Sequence, residues 1–166
     1  MNDPTAPSAQ DRGPQAPAPA ERRDVVLPGH GSCYICGSEN PAGLGVVFRL
    51  DGDRVKPEVT LTERQQGPPG HAHGGCLAAV LDEAMGAAVW CAGHPVVAAR
   101  LEVDFRKAVP LGASCTVIAW VTSVKGRKIW AQAEVRAASG ALATQARGLY
   151  IEARHVFDKK LFVPKL

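Results

Sequence analysis

At 166 residues, 46% hydrophobic and 21% charged, the chain has enough apolar material for one core of ordinary size. Its 19 basic and 16 acidic residues are scattered without a block of one sign, so the net charge of +3 marks out neither a nucleic-acid stripe nor a membrane-binding face. Five cysteines, odd in number and three of them in apolar segments, fit a reduced, cytoplasmic setting better than a disulfide scaffold; no apolar run of about 20 residues suggests a membrane span, and the start lacks the pattern of a secretory signal.

Residues 1–24, MNDPTAPSAQDRGPQAPAPAERRD, hold five prolines and no aromatic residue, a composition that predicts a disordered tail. The folded domain is expected over 25–154. GVVFRL (45–50) and RVKPEVTLTE (54–63) flank the turn signal Asp51-Gly52-Asp53 and read as a hairpin, with Pro57 demoting the second strand to an edge or bulge. The clear helix follows HAHGG. Leu77, Val80, Leu81, Ala84 and Ala88 recur at helical spacing, and Ala78, Met85 and Val89 make the neighbouring face apolar too, so this helix is enclosed on most sides.

After Gly93-His94-Pro95 the period drops to two. Leu101, Val103 and Phe105 alternate with Glu102, Asp104 and Arg106, as in a half-buried strand. Strands at roughly 115–124, 128–137 and 141–153 follow, separated by turn chemistry at 109–112, 125–127 and 139–140. Short turns between alternating strands dictate antiparallel pairing. The predicted class is α+β, one long helix against a curved antiparallel sheet of five to six strands. Residues 155–166 mix charge with Phe157, Leu161 and Phe162 and form a C-terminal tail.

The chemistry concentrates in HGGCLAAVLDEAMG (73–86). Gly74 and Gly75 open the helix, where the first N–H groups lack intrahelical partners and the dipole is positive, a setting that favours developing negative charge. Glycine also lets a carbonyl approach the Gly74 amide closely. Asp82 lies eight residues on, about 12 Å along the axis. A carboxylate that activates water or attacks a carbonyl must come much nearer than that, so the helix start and Asp82 of one chain cannot serve the same carbonyl. Two helices antiparallel across a two-fold axis can, and an isologous dimer then carries two equivalent sites. The plainer alternative is that Asp82 and Glu83 face solvent at a gap in the wrapping.

This stretch resembles the hotdog-fold acyl-CoA thioesterases, the branch that includes the phenylacetate-pathway thioesterases and hydroxybenzoyl-CoA thioesterase relatives with a helix-borne carboxylate. The resemblance rests on His73-Gly74-Gly75 with Asp82 nine positions after the histidine, and on CYICGSENPAGL (33–44), QGPPG (66–70) and VPLG (109–112). It implies a homodimer, paired further into a homotetramer, that hydrolyses an acyl-CoA or acyl-carrier thioester to free acid and thiol without a cofactor. On that likeness Asp82 acts as base or nucleophile, the Gly74 amide polarises the carbonyl, His73 positions the substrate or the helix start, and Gln66 orients the carbonyl or the water. Gly75 lies against the substrate. Arg127 and Lys128 are candidates for the phosphates of coenzyme A, with solvated hairpin charge as the alternative.

Two other readings stay open. One is a protein that binds acyl thioesters without cleaving them. The other is a hotdog dehydratase acting on 3-hydroxyacyl thioesters through Glu83, although the histidine motif that such enzymes pair with their glutamate is missing and a structural Glu83 fits better. Cys33-x-x-Cys36 supplies two of the four ligands that zinc needs, and no second such pair exists, although His30, His71 and His73 are conceivable partners. No metal site is expected from spacing alone. Cys76, at the helix start, reads as packing rather than as a nucleophile.

Overall fold

The computed structural model describes residues 24–157. Apart from Asp24, the tail predicted over 1–24 lies outside the described residues, as does the C-terminal tail beyond residue 157.

One helix, α1 (Gly74–Cys91), lies against an antiparallel sheet of eight strands among the described residues: β1 (Val25–Val26), β2 (Arg49–Asp51), β3 (Arg54–Val55), β4 (Glu58–Thr60), β5 (Val96–Phe105), β6 (Ser114–Lys125), β7 (Lys128–Ala137) and β8 (Leu142–Glu152). Their order is β1-β2-β3-β6-β7-β8-β5, with β4 paired to β6 beyond β3. The expected hairpin is present but short, and Pro57, which has no N–H to donate, splits its second strand into β3 and β4. Its carbonyl still accepts from the Val117 N–H at 2.9 Å.

The period-two pattern of the long strands puts Cys115, Val117 and Ala119 of β6, Ile129, Ala131, Ala133 and Val135 of β7, and Ala146 and Tyr150 of β8 in the core. The several alanines let the helix settle close to the sheet. From α1, Leu77, Val80, Leu81, Ala84, Met85, Ala88 and Val89 are buried against them, each larger side chain contributing about 1.5–3 kcal/mol. Register shifts in β5, β6 and β8's pairing with β7 curve the sheet around this helix.

Two expectations need correction. The strand expected from Leu101 begins at Val96, directly after Pro95, so β5 is ten residues long. Also, α1 is, at 18 residues and a mean hydropathy of 1.3, long and apolar enough to cross a membrane by length and composition. Its apolar character has another source here: the sheet wraps it, and every residue from Cys76 to Cys91 is at least half-buried.

β5 pairs with β8 on one side and, among the described residues, forms the end of the sheet on the other. Along it Val97, Leu101 and Phe105 are 40%, 37% and 56% exposed.

Candidate active site

The helix start is prepared by the loop before it. Ala72 N–H donates to the Val109 carbonyl at 2.8 Å, and His73 N–H to the Gln65 carbonyl at 2.8 Å. Gly67 must be glycine, since a Cβ there would stand 2.8 Å from the His73 Cα. His73 is the N-cap, and its Nδ1 accepts from the Gly75 N–H at 2.8 Å. The acceptor nitrogen is therefore unprotonated and the ring is fixed as a cap.

This cap divides the two glycines. The Gly75 amide donates to His73, whereas the Gly74 amide has no hydrogen-bond partner among the described residues. The Phe105 ring of β5 lies over Gly74, where an added Cβ would be 3.3 Å from two ring atoms. An open N–H at the positive end of an 18-residue helix, beside an apolar ring, is a place where a polarised carbonyl oxygen is stabilised.

Asp82 is on the half-buried face of the same helix. Its Oδ1 accepts from the Tyr150 hydroxyl at 2.8 Å, and the same hydroxyl is 3.0 Å from the Asp82 carbonyl. Burial pushes the Asp82 carboxyl above the usual carboxylate range; the Tyr150 donor opposes that shift and the Glu83 charge adds to it. Burial, together with the neighbouring carboxylate, pushes the Tyr150 phenol far up, so Tyr150 is a neutral donor.

Tyr150 was not among the residues expected from sequence. It occupies an inward position of β8, and its ring leans back over Gly148, where a Cβ would come within 2.5 Å of a ring carbon. Inward alternation of Ala146, Gly148 and Tyr150, with glycine before a buried tyrosine, was the available signal.

Glu83, one residue on, points elsewhere. Its Oε1 accepts from the Cys36 thiol at 3.0 Å and lies 3.7 Å from both Cys33 Sγ and His30 Nδ1. Burial alone would raise its carboxyl, but the donors, His30 first and then Cys36, hold it below the usual range. His30, Cys36 and Glu83 carry potential metal-ligand atoms within 4.8 Å of one another. Neither His71 nor His73, conceivable partners for the cysteines, joins them: His71 Nδ1 lies 3.0 Å from the Pro69 carbonyl and His73 caps the helix.

The remaining candidates are not gathered around Asp82 within one chain. Gln66 Oε1 accepts from the Gly70 N–H at 3.1 Å and braces the loop before the helix. Arg127 and Lys128 sit on the exposed hairpin between β6 and β7, and Arg127 donates to the Glu152 carbonyl at 2.9 Å. Glu152 is opposite Val96 in β5, whereas Phe105, over Gly74, is nine residues away along that strand, about 30 Å.

Residues 69–144 match the family model described as "Thioesterase superfamily". Over 89 residues the chain is 37% identical to the acyl-coenzyme A thioesterase THEM4 of Xenopus laevis, a match covering 52% of this chain and 40% of that protein. The chain thus spans well under two thirds of this relative. Among solved structures, a thioesterase superfamily protein is 35% identical with a TM-score of 0.69 over 72% of this chain and 60% of its own. The PaaI protein of the E. coli phenylacetic acid degradation operon, 22% identical with a TM-score of 0.62 over 66% of this chain and 80% of its own, shares the fold.

Proposed function

From the premise of a hotdog-fold domain of the thioesterase superfamily, we propose that two copies of this chain hydrolyse an acyl thioester, with acyl-CoA as the substrate class. The observation that carries this reading is the pairing, on one helix, of an open Gly74 amide with a Tyr150-held Asp82 too far apart to act together within one protomer.

A dimer joins them. The exposed β5 edge, with Val97, Leu101 and Phe105, is a surface that a second copy pairs with. Antiparallel pairing of two β5 strands sets the helices antiparallel as well. The Gly74 amide of one protomer then faces Asp82 of the partner subunit. The carbonyl oxygen accepts from Gly74 N–H, and Asp82 of the partner subunit takes a proton from water as its oxygen attacks the carbonyl carbon. Collapse of the tetrahedral intermediate breaks the C–S bond, and the thiolate leaves and takes up the proton. The raised Asp82 carboxyl supports a base over a nucleophile. Arg127 and Lys128 reach the substrate's phosphates only through this arrangement, and a dimer of dimers is an extension of it.

The dehydratase reading loses support because Glu83 is held by His30 and the two cysteines. The five free cysteines support a reduced, cytoplasmic setting. The test is thiol release from a panel of acyl-CoA thioesters, with sedimentation of the same sample. We expect a dimer or larger species whose turnover falls at least about a hundredfold in Asp82→Asn. A monomer that hydrolyses thioesters, or unchanged turnover in Asp82→Asn, refutes the reading, and binding without turnover points to a carrier.

A further inference from the structure

The hydrolytic reading makes no use of the CxxC segment or of Glu83. We propose that His30, Cys33, Cys36 and Glu83 form a closed, four-ligand site for a zinc-class ion that clamps the segment before β2 onto α1.

The spacing His30-x-x-Cys33-x-x-Cys36 puts three donors on one tight turn, held by Cys33 N–H to the His30 carbonyl at 2.8 Å and Gly37 N–H to the Cys33 carbonyl at 3.0 Å. The turn is shaped around its first sulfur: Ile35 N–H points at Cys33 Sγ at 3.4 Å and orients it. Two glycines make it possible. A Cβ on Gly37 would stand 2.3 Å from the Gly31 carbonyl oxygen, and one on Gly29 would stand 2.5 Å from the Cys36 carbonyl oxygen.

The fourth donor is supplied by the fold rather than by the turn. Glu83 reaches from the helix so that Cys36 Sγ lies 3.0 Å, and Cys33 Sγ and His30 Nδ1 each 3.7 Å, from its Oε1, with 3.4 Å between His30 Nδ1 and Cys36 Sγ. A tetrahedral zinc ion with its usual bond lengths to sulfur, nitrogen and oxygen separates its ligand atoms by about 3.4–3.8 Å. Three of these four spacings match, and the Cys36–Glu83 spacing needs a few tenths of an ångström; Cys33 Sγ stands outside the group of donors within 4.8 Å of one another, so it turns toward His30 and Cys36 to complete the shell. Two sulfurs, an imidazole and one carboxylate select zinc or a similar soft ion over magnesium or calcium. Four protein ligands leave no open position, so the ion is structural. Behind the site, the Trp90 ring packs on the His30 ring at 5.4 Å between centroids. Binding replaces the two thiol protons, which leave to solvent.

The test uses the whole chain, purified under reductant, stripped with a chelator and titrated with cobalt(II) as a spectroscopic probe, then with zinc. We expect one ion per chain, thiolate-to-cobalt charge-transfer absorption, and the intense visible bands of tetrahedral cobalt. In Cys36→Ser the charge-transfer intensity falls, and in Glu83→Gln zinc binding weakens at least about tenfold. The wild-type titration does not depend on whether the variants fold. Failure of the reduced chain to take up cobalt or zinc overturns the proposal, as does uptake without a thiolate band. Either result leaves the thioesterase reading untouched.

Discussion

Replacing Tyr150 with phenylalanine isolates a single atom on which the proposed base depends. Tyr150 is 2% exposed, and its hydroxyl serves Asp82 Oδ1 at 2.8 Å and the Asp82 carbonyl at 3.0 Å. A phenol has one hydrogen, so the two acceptors share it and the carboxylate, nearer, takes most of it. Phenylalanine keeps the ring and leaves no cavity of consequence, so the loss is that of the hydrogen bond. A bond to a charged acceptor contributes about 1.5–3 kcal/mol, and at about 4 °C per kcal/mol for a domain of this size the Tm falls about 6–12 °C. The carboxylate is then free to swing, and misplacement by about 1 Å costs up to about a hundredfold in rate. We expect kcat to fall about 10- to 100-fold with KM little changed. Thermal melts followed by near-ultraviolet circular dichroism, together with a thiol-release assay, read both quantities. A Tm within about 2 °C of wild type, with undiminished kcat, refutes the assignment of Tyr150 as the group that positions Asp82.

Gly148→Ala places a methyl group 2.5 Å from a Tyr150 ring carbon; overpacking of this kind costs about 1–3 kcal/mol, and the displaced ring abandons Asp82, so a thermal melt and a rate assay should fall together. Gly74→Ala separates stability from chemistry. Its Cβ stands 3.3 Å from two atoms of the Phe105 ring, a contact that a shift of a few tenths of an ångström relieves, so the melt changes by no more than about 1 kcal/mol, while a methyl beside the open amide lowers kcat/KM at least about tenfold. Glu152 is held below the usual carboxylate range, chiefly by its 3.0 Å hydrogen bond with His94. A depressed folded pKa contributes stability above the unfolded value of about 4.3 and loses it as pH falls through the folded value. The Tm gap between wild type and Glu152→Gln should therefore hold above about pH 5 and close in stronger acid.

The central strands were legible because each has one buried face of period two, as in Ile129, Ala131, Ala133 and Val135, and the helix because its apolar residues recur at helical spacing. The start of β5 was not. Val97 to Arg100 are exposed without alternation, because β5 ends the sheet and no described element of the chain covers its outer side. The apolar helix was read correctly as enclosed, since its second apolar face could only mean wrapping. The Gly74 and Asp82 positions were visible as a motif, yet the division of labour between Gly74 and Gly75 was not, because it depends on the ring conformation of His73. Tyr150 and Asp82 are 68 residues apart, and Cys36 and Glu83 are 47 apart. Neither pairing has a local pattern; only the closure of the sheet around the helix creates them.

That closure also explains how adjacent carboxylates are tolerated in an apolar helix. Consecutive helical residues point about 100° apart, so Asp82 and Glu83 enter different surroundings although their backbones are neighbours. Asp82 meets one neutral phenol and little else, which leaves burial dominant and its carboxyl raised; Glu83 meets an imidazole and two thiols, which outweigh burial and keep it ionised. A carboxylate pushed up is suited to exchanging a proton near neutral pH, and one held down is suited to staying put and binding cations. The Glu83 charge also adds to the cost of ionising Asp82. If the pair served one function, exchanging the two side chains would be mild. On this argument the swap Asp82→Glu with Glu83→Asp removes both the Tyr150 contact and the loop anchor, and turnover and thermal stability are lost together.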